Sequence, residues 1–224
     1  MIVIYRMTDV TSTNPSPVYW DDKMELNKIC LRSFVEAFKN IKPKVKMILD
    51  RCPNSYASFV KYLVPFPMEI EFTSSGVREN AVHQYDYVKD DDLYLFQECD
   101  YLYLPDTGQQ MIDAANEFDF ISPYDHPDKY KKGMIPKNIK YSTINGKKWR
   151  TTDSTTSTFM SRGEVLKKTL SLFQSWGWED HKRWIDFGTK GYTLWTPLPS
   201  ISTHMVEEFM APGIDWKSVW EKYV

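Results

Sequence analysis

The chain has 224 residues, with 28 Lys and Arg against 30 Asp and Glu and a formal net charge of −2. That balance argues against a dedicated nucleic-acid binder, which carries a basic excess. No stretch of eighteen apolar residues offers a transmembrane segment, although peripheral membrane contact stays open.

The length suits one domain, taken as 1–224, with a full hydrophobic core. Its eight Trp fit either a stacking cleft or that core. Cys30, Cys52 and Cys99 cannot all pair and lack metal-ligand spacing. They read as reduced thiols of a cytoplasmic protein, and the apolar run at the amino terminus is too brief for a signal peptide.

In chain order, residues 2–7 are predicted to form a strand and 8–23 a polar loop with Pro15 and Pro17. Leu26, Ile29, Cys30, Phe34, Ala37 and Phe38 make a helical stripe over 24–40. A strand over 45–49 ends at Asp50, a helix covers 54–64, and a strand over 68–72 leads into Thr73-Ser-Ser-Gly76. Further elements are a helix over 77–89, a strand over 93–104, a helix over 107–117 and a strand over 118–122. Alternating strand and helix implies an α/β domain, a mostly parallel central sheet with helices on both faces. Ligands of such sheets sit outside the carboxyl ends of the strands.

The second half differs. Between residues 129 and 150 lie eight Lys or Arg and no acid, with the hairpin signal Asn145-Gly146 inside. Arg150 and Lys148 are candidates for stabilising a departing diphosphate. A solvated hairpin is the blander reading, and contact with an anionic surface a third. A hydroxyl-rich run over 151–158 follows, then a helix over about 162–175, Trp176-Gly-Trp-Glu-Asp180 and another helix. Trp176 and Trp178 fit either stacking on a sugar or closing the core.

Residues 91–104, Asp-Asp-Leu-Tyr-Leu-Phe-Gln-Glu-Cys-Asp-Tyr-Leu-Tyr-Leu, hold two acids in an apolar run. Strand alternation puts Glu98 and Asp100 on one face and Cys99 on the other. Carboxylates roughly 6–7 Å apart repel by about 2–3 kcal/mol at an effective dielectric near 20. A divalent cation removes that repulsion, and magnesium takes one or two carboxylates plus substrate phosphates. The competing reading places both acids past the strand end, in water.

The order of elements resembles a GT-A-fold, Rossmann-related glycosyltransferase, with Glu98-Cys99-Asp100 similar to its Asp-X-Asp motif. Residues 94–102 followed by Phe120-Ile-Ser-Pro-Tyr-Asp-His-Pro-Asp-Lys-Tyr130 resemble small bacterial and viral glycosyltransferase-like proteins. In those the acidic strand reads Glu-Asp-Asp-Tyr and precedes a Tyr-Asp-His-Pro segment; Cys99 stands where they have Asp.

The resemblance implies transfer of a sugar from a nucleotide-diphosphate sugar to a glycan, lipid-linked or protein acceptor. Residues 1–125 would form the donor half and 126–224 the acceptor side. Mn²⁺ or Mg²⁺ would be held by Glu98, Asp100 and His204. Asp50 would meet the base or ribose, with Arg6, Thr8 and Asp9 lining the nucleotide beside Arg150. Asp180, or else Glu179, would be the general base. Each has a plainer reading: acids in a first helical turn are stabilised by the macrodipole, and Asp125 and His126 fit a turn as well as an acceptor site. A nucleotidyltransferase and a catalytically silent nucleotide- or carbohydrate-binding module are the alternatives. The absence of glycine from residues 8–23 counts against the first.

Overall fold

The computed structural model describes residues 1–89, 91–131, 133–135, 138–177 and 179–224, and at residue 77 the backbone alone. Strand β1 (Ile2–Thr8) leads to helix α1 (Lys23–Phe38), then β2 (Lys44–Asp50), α2 (Asn54–Leu63), β3 (Met68–Thr73), α3 (Val77–His83) and β4 (Leu93–Glu98). After these come β5 (Tyr101–Tyr103), α4 (Gly108–Glu117), β6 (Phe120–Ile121), β7 (Tyr141–Ile144), β8 (Lys147–Thr152) and β9 (Phe159–Arg162). The chain closes with α5 (Gly163–Trp176), α6 (Asp180–Thr189), β10 (Leu194–Leu198), β11 (Ser202–His204) and α7 (Trp216–Trp220).

Among the described residues the main sheet has nine strands in the order β3-β2-β1-β4-β9-β6-β10-β8-β7. Strands β1 to β4 pair in parallel, whereas β9 runs antiparallel to both of its neighbours. The order reverses at β1, which lies between β2 and β4, so a crevice opens at their carboxyl ends. No helix among the described residues is long and apolar enough to cross a membrane.

Alternation along β1 divides the core. Val3, Tyr5 and Met7 pack with Ile29, Phe34 and Phe38 of α1 on one face. Ile4 packs on the other with Phe96, Phe159, Phe173 and Trp184. Most of the phenylalanines, with Trp149, Trp184, Trp195 and Trp216, are buried in these two clusters, in edge-on contacts such as Phe120–Trp184, whose ring centroids are 5.1 Å apart. Helix α4 approaches α1 through Gly108, where an added Cβ would lie 2.8 Å from the Phe38 ring and 2.9 Å from the Ala37 carbonyl oxygen. Gly108→Ala is therefore expected to destabilise the protein by about 1–3 kcal/mol in urea unfolding.

One predicted strand is corrected. Residues 93–104 do not run as a single strand: β4 stops at Glu98, Cys99 and Asp100 form a turn, and β5 leaves the main sheet. It pairs antiparallel with β11, with Tyr101 opposite His204. Alternation therefore does not carry through to Asp100, and the shared face expected for Glu98 and Asp100 is lost.

Candidate functional site

In the parallel register of β1 and β4, Arg6 lies opposite Glu98. Both project on the face that Ile4 and Phe96 bury, and the Arg6 guanidinium donates to the Glu98 carboxylate. Arg6 is only 6% exposed, and burial pulls its pKa down to about 10, so it stays cationic at neutral pH. Its Nε is buried without a hydrogen-bond partner, which leaves a donor that an anion would satisfy. A small cavity of about 30 Å³ opens here, lined by Arg6, Thr8, Asp50, Asn80, Glu98 and Cys99 among others.

Asp50, opposite Thr8 in β1 and Thr73 in β3, forms the floor of this edge. Its Oδ1 accepts from the Thr73 hydroxyl at 3.0 Å and from the Gly76 amide at 3.1 Å. Asn80 donates back to the Gly76 carbonyl at 3.0 Å. Gly76 sits at φ 93°, and a Cβ there would meet the Arg51 side chain at 2.4 Å, so glycine is required. The Thr8 carbonyl accepts from Asn27 Nδ2 at 2.9 Å, and the Asp9 carboxylate takes the Tyr56 hydroxyl proton bond. Thr8 and Asp50 thus share the crevice with Arg6 and Glu98, while Asp9 is drawn towards α2.

Asp100 turns towards α1. Its Oδ2 lies 3.8 Å from Lys23 Nζ and 3.4 Å from His204 Nε2. Lys23 opens α1, and its side chain is only 6% exposed. The His204 ring is stacked between Tyr101 and Phe209, at centroid distances of 5.3 and 6.2 Å. Burial pushes the Asp100 carboxyl up, but His204 and Lys23 outweigh it and hold it well below the usual carboxylate range. Burial likewise opposes the Lys23 charge, yet Cys99 and Asp100 keep the ammonium above the ordinary lysine value. Lys23 and Asp100 line a small pocket together with Thr11, Ser12, Asn14 and Ser16.

These residues do not fit a divalent metal as they stand. Among the described residues no three acidic, histidine or cysteine side chains cluster in ligating geometry. Glu98 is engaged by Arg6. A metal-bound imidazole normally donates its second ring nitrogen to a partner, whereas His204 Nδ1 is buried without one. An ion on Asp100 Oδ2 would lie within about 6 Å of the Lys23 ammonium and be repelled by roughly 5 kcal/mol at an effective dielectric near 20.

The loop 154–157 closes the other side. It is built around Asp180, the first residue of α6, whose carboxylate accepts from the amides of Thr155, Thr156 and Ser157 at 2.9, 3.0 and 3.2 Å. The Thr155 and Ser154 hydroxyls, Arg183 Nη2 and Trp184 Nε1 also donate to it, at 2.7, 3.2, 2.9 and 3.0 Å. These bonds hold Thr156 and Ser157 at φ 46° and 66°. Burial raises the Asp180 pKa, but Arg183 and the loop donors outweigh it and hold the group below the ordinary range. The loop meets the crevice directly: Thr158 Oγ1 accepts from the Glu98 amide at 3.2 Å, and the Tyr101 hydroxyl donates to the Thr155 carbonyl at 2.9 Å. Glu179, the residue before α6, lies 3.0 Å from Lys182. Trp176 donates to Asp186 at 2.9 Å and so ties α5 to α6; Trp178 lies outside the described residues.

Arg150 donates to Asp125, with side chains 5% and 2% exposed, and Tyr130 donates to the same carboxylate. It therefore anchors the 125–130 segment to β8. Lys148, by contrast, is exposed on the hairpin. His126 is buried, and burial pulls its pKa down to about 4. Its Nδ1 accepts from the Asp128 amide at 3.1 Å, which assigns the proton to Nε2.

Sequence reasoning missed Lys23, Arg183 and the loop donors. The Arg6–Glu98 register was accessible once β1 and β4 were taken as parallel neighbours. Nothing local marks Lys23, because its meaning depends on where β5 turns.

The sequence matches no family model and no curated protein. The fold is similar to solved structures at low identity. The inositol-1-phosphate CTP transferase of T. maritima superposes with a TM-score of 0.54 at 12% identity, covering 89% of this chain and 89% of its own. The 4-diphosphocytidyl-2C-methyl-D-erythritol synthase of Anaerococcus prevotii gives 0.54 at 8% identity, covering 99% and 96%. The glycosyltransferase GlyE of Streptococcus pneumoniae gives 0.51 at 11% identity over 86% of this chain, which spans 44% of GlyE. At these identities the likeness is one of architecture: the chain is a GT-A-like, Rossmann-related α/β domain.

Proposed function

We propose that this chain is a glycosyltransferase that takes a sugar from a nucleotide-diphosphate sugar and passes it to an acceptor hydroxyl on a glycan, lipid-linked or protein acceptor. The observation that carries the reading is two buried charge groups, Arg6 with Glu98 and Lys23 with Asp100 and His204, flanking the turn at the carboxyl end of β4. Buried cations at a strand-end crevice suit a diphosphate. In the transfer, the acceptor oxygen attacks the anomeric carbon and the bond from that carbon to the β-phosphate oxygen breaks. The nucleoside diphosphate leaves with its charge beside Arg6, and the hydroxyl proton passes to a base. Asp180 has its lone pairs filled by the 154–157 loop, so we assign it a positioning role. Glu179 is then the acid of that pair with capacity to accept the proton.

A second reading, a nucleotidyltransferase, is favoured by one observation: the inositol-1-phosphate CTP transferase and the 4-diphosphocytidyl-2C-methyl-D-erythritol synthase match this chain nearly end to end. Incubation with panels of nucleotide-sugars and of nucleoside triphosphates separates the two. Release of nucleoside diphosphate from a nucleotide-sugar supports glycosyl transfer, and release of pyrophosphate from a triphosphate supports nucleotidyl transfer. Turnover of neither panel, with any acceptor mixture, would sink both and leave the binding module.

A further inference from the structure

The proposed donor site holds two positive side chains where a divalent ion would otherwise be asked to work. Arg6 sits on one side of β4 and Lys23 on the other, each beside one acid of the Glu98-Cys99-Asp100 turn. Both are more than nine-tenths buried, so neither is a solvated surface charge that happens to be near. Each has a structural reason to stay put. Arg6 is fixed by the β1–β4 register, and Lys23 by its place as the first residue of α1 behind the Asp22 cap. Arg6 retains an unpartnered buried donor, and Lys23 faces a separate small pocket lined by Thr11, Ser12, Asn14 and Ser16 on one side and by apolar side chains such as Trp20 and Leu26 on the other.

Resting on the functional reading above, we infer that Lys23, with Arg6, is the resident counter-charge of the diphosphate, and that the protein binds its nucleotide without a divalent metal. Asp100 and His204 then serve to hold the lysine rather than an ion. The negative charge of Asp100 keeps the buried ammonium charged, and the stacked His204 fixes Asp100. Cys99, buried between the two acids, puts a thiol rather than a third carboxylate in this turn. A lysine ammonium is a compact point charge with three donors, able to bridge phosphate oxygens as an ion does.

The test is thermal unfolding of the whole chain with UDP, CDP, GDP and ADP, each with EDTA and each with Mn²⁺, and with Mn²⁺ alone. At roughly ten times Kd a bound nucleotide should raise Tm by about 3–6 °C. The inference expects the same shift for at least one nucleotide in EDTA as in Mn²⁺, no shift with Mn²⁺ alone, and loss of the nucleotide shift in Lys23→Met but not in Lys23→Arg. A shift that appears only with Mn²⁺ overturns the inference while upholding nucleotide binding. A full shift in Lys23→Met with EDTA also overturns it. No shift in any arm removes the functional reading and the inference together. The EDTA and Mn²⁺ arms on the unmodified protein decide the matter even if Lys23→Met does not fold.

Discussion

Replacing Asp180 with alanine is expected to cost about 3–5 kcal/mol of stability, lowering Tm by roughly 6–20 °C for a chain of this size. The substitution leaves the Arg183 guanidinium, itself 1% exposed, without its carboxylate, and strands the amides of Thr155 and Thr156, while the Ser157 amide keeps Thr155 Oγ1 at 3.0 Å. Unpaired buried donors cost about 1–3 kcal/mol each, and the left-handed backbone at Thr156 and Ser157 loses the carboxylate around which it is folded. Asp180→Asn separates scaffold from base. As a scaffold, Asp180 changed to asparagine keeps the size but loses acceptor capacity on one side, so Tm falls and any loss of turnover follows the fraction unfolded. As a general base, the same change would leave Tm nearly intact and lower turnover by about 10²–10⁴-fold. The pH dependence has a definite sign. The folded pKa of Asp180 is depressed, so its stabilisation is fully present above the unfolded carboxylate value near 4 and is lost as pH falls through the folded value. A Tm-against-pH profile should therefore have a shallower acid limb in Asp180→Asn, the remainder being carried by other depressed carboxylates such as Asp100.

The second large effect is expected at Arg6. Arg6→Met removes the cation facing the proposed diphosphate and should weaken nucleotide binding by about 10- to 100-fold, the range for a charge-assisted hydrogen bond, as read by calorimetry. It should also destabilise the fold by about 1–3 kcal/mol, less than a fully buried pair would, because Glu98 is 25% exposed and can rehydrate. Adding Glu98→Gln removes the orphaned charge. Stability should largely return, since neutral replacement of both partners of an ion pair is often tolerated, while nucleotide binding should not. Recovery of both together would make the pair structural only.

The first half of the fold was legible because its physics is local. Strands β1, β2 and β4 are buried on both faces and read as apolar runs, α1 carries its stripe, and Asn145-Gly146 turns the β7–β8 hairpin at φ 47° and 79°. What was not legible depends on long-range pairing. Strand β9 hides behind the hydroxyl-rich 151–158 run and becomes a strand only because β4 and β6 flank it. Strand β10 contains Pro197, which argues against a strand in isolation, yet it pairs with β8 and β6. The departure of β5 towards β11 hides the true environment of Asp100, since a run of alternating apolar residues does not announce a change of partner.

The site was half legible for the same reason. The acids of 98–100 stood out as charges in an apolar run, and Asp50 as a strand-end acid. The cations that answer them did not, because Arg6 and Lys23 are 92 and 77 residues away in sequence from Glu98 and Asp100. Asp180 was singled out by position as a general base, but the donors that fill its lone pairs lie in a loop whose shape the sequence does not declare.

The location of the nucleotide is the claim on which the rest depends, and hydrogen exchange measured by mass spectrometry tests it most directly. With a nucleoside diphosphate bound, amide exchange should slow at the carboxyl ends of β1, β2 and β4, around residues 74–76 and at the start of α1. The opposite end of the sheet, at Ile2, Lys44 and Met68, should be unchanged. Protection confined to that opposite end, or to the 141–150 hairpin, would contradict the account.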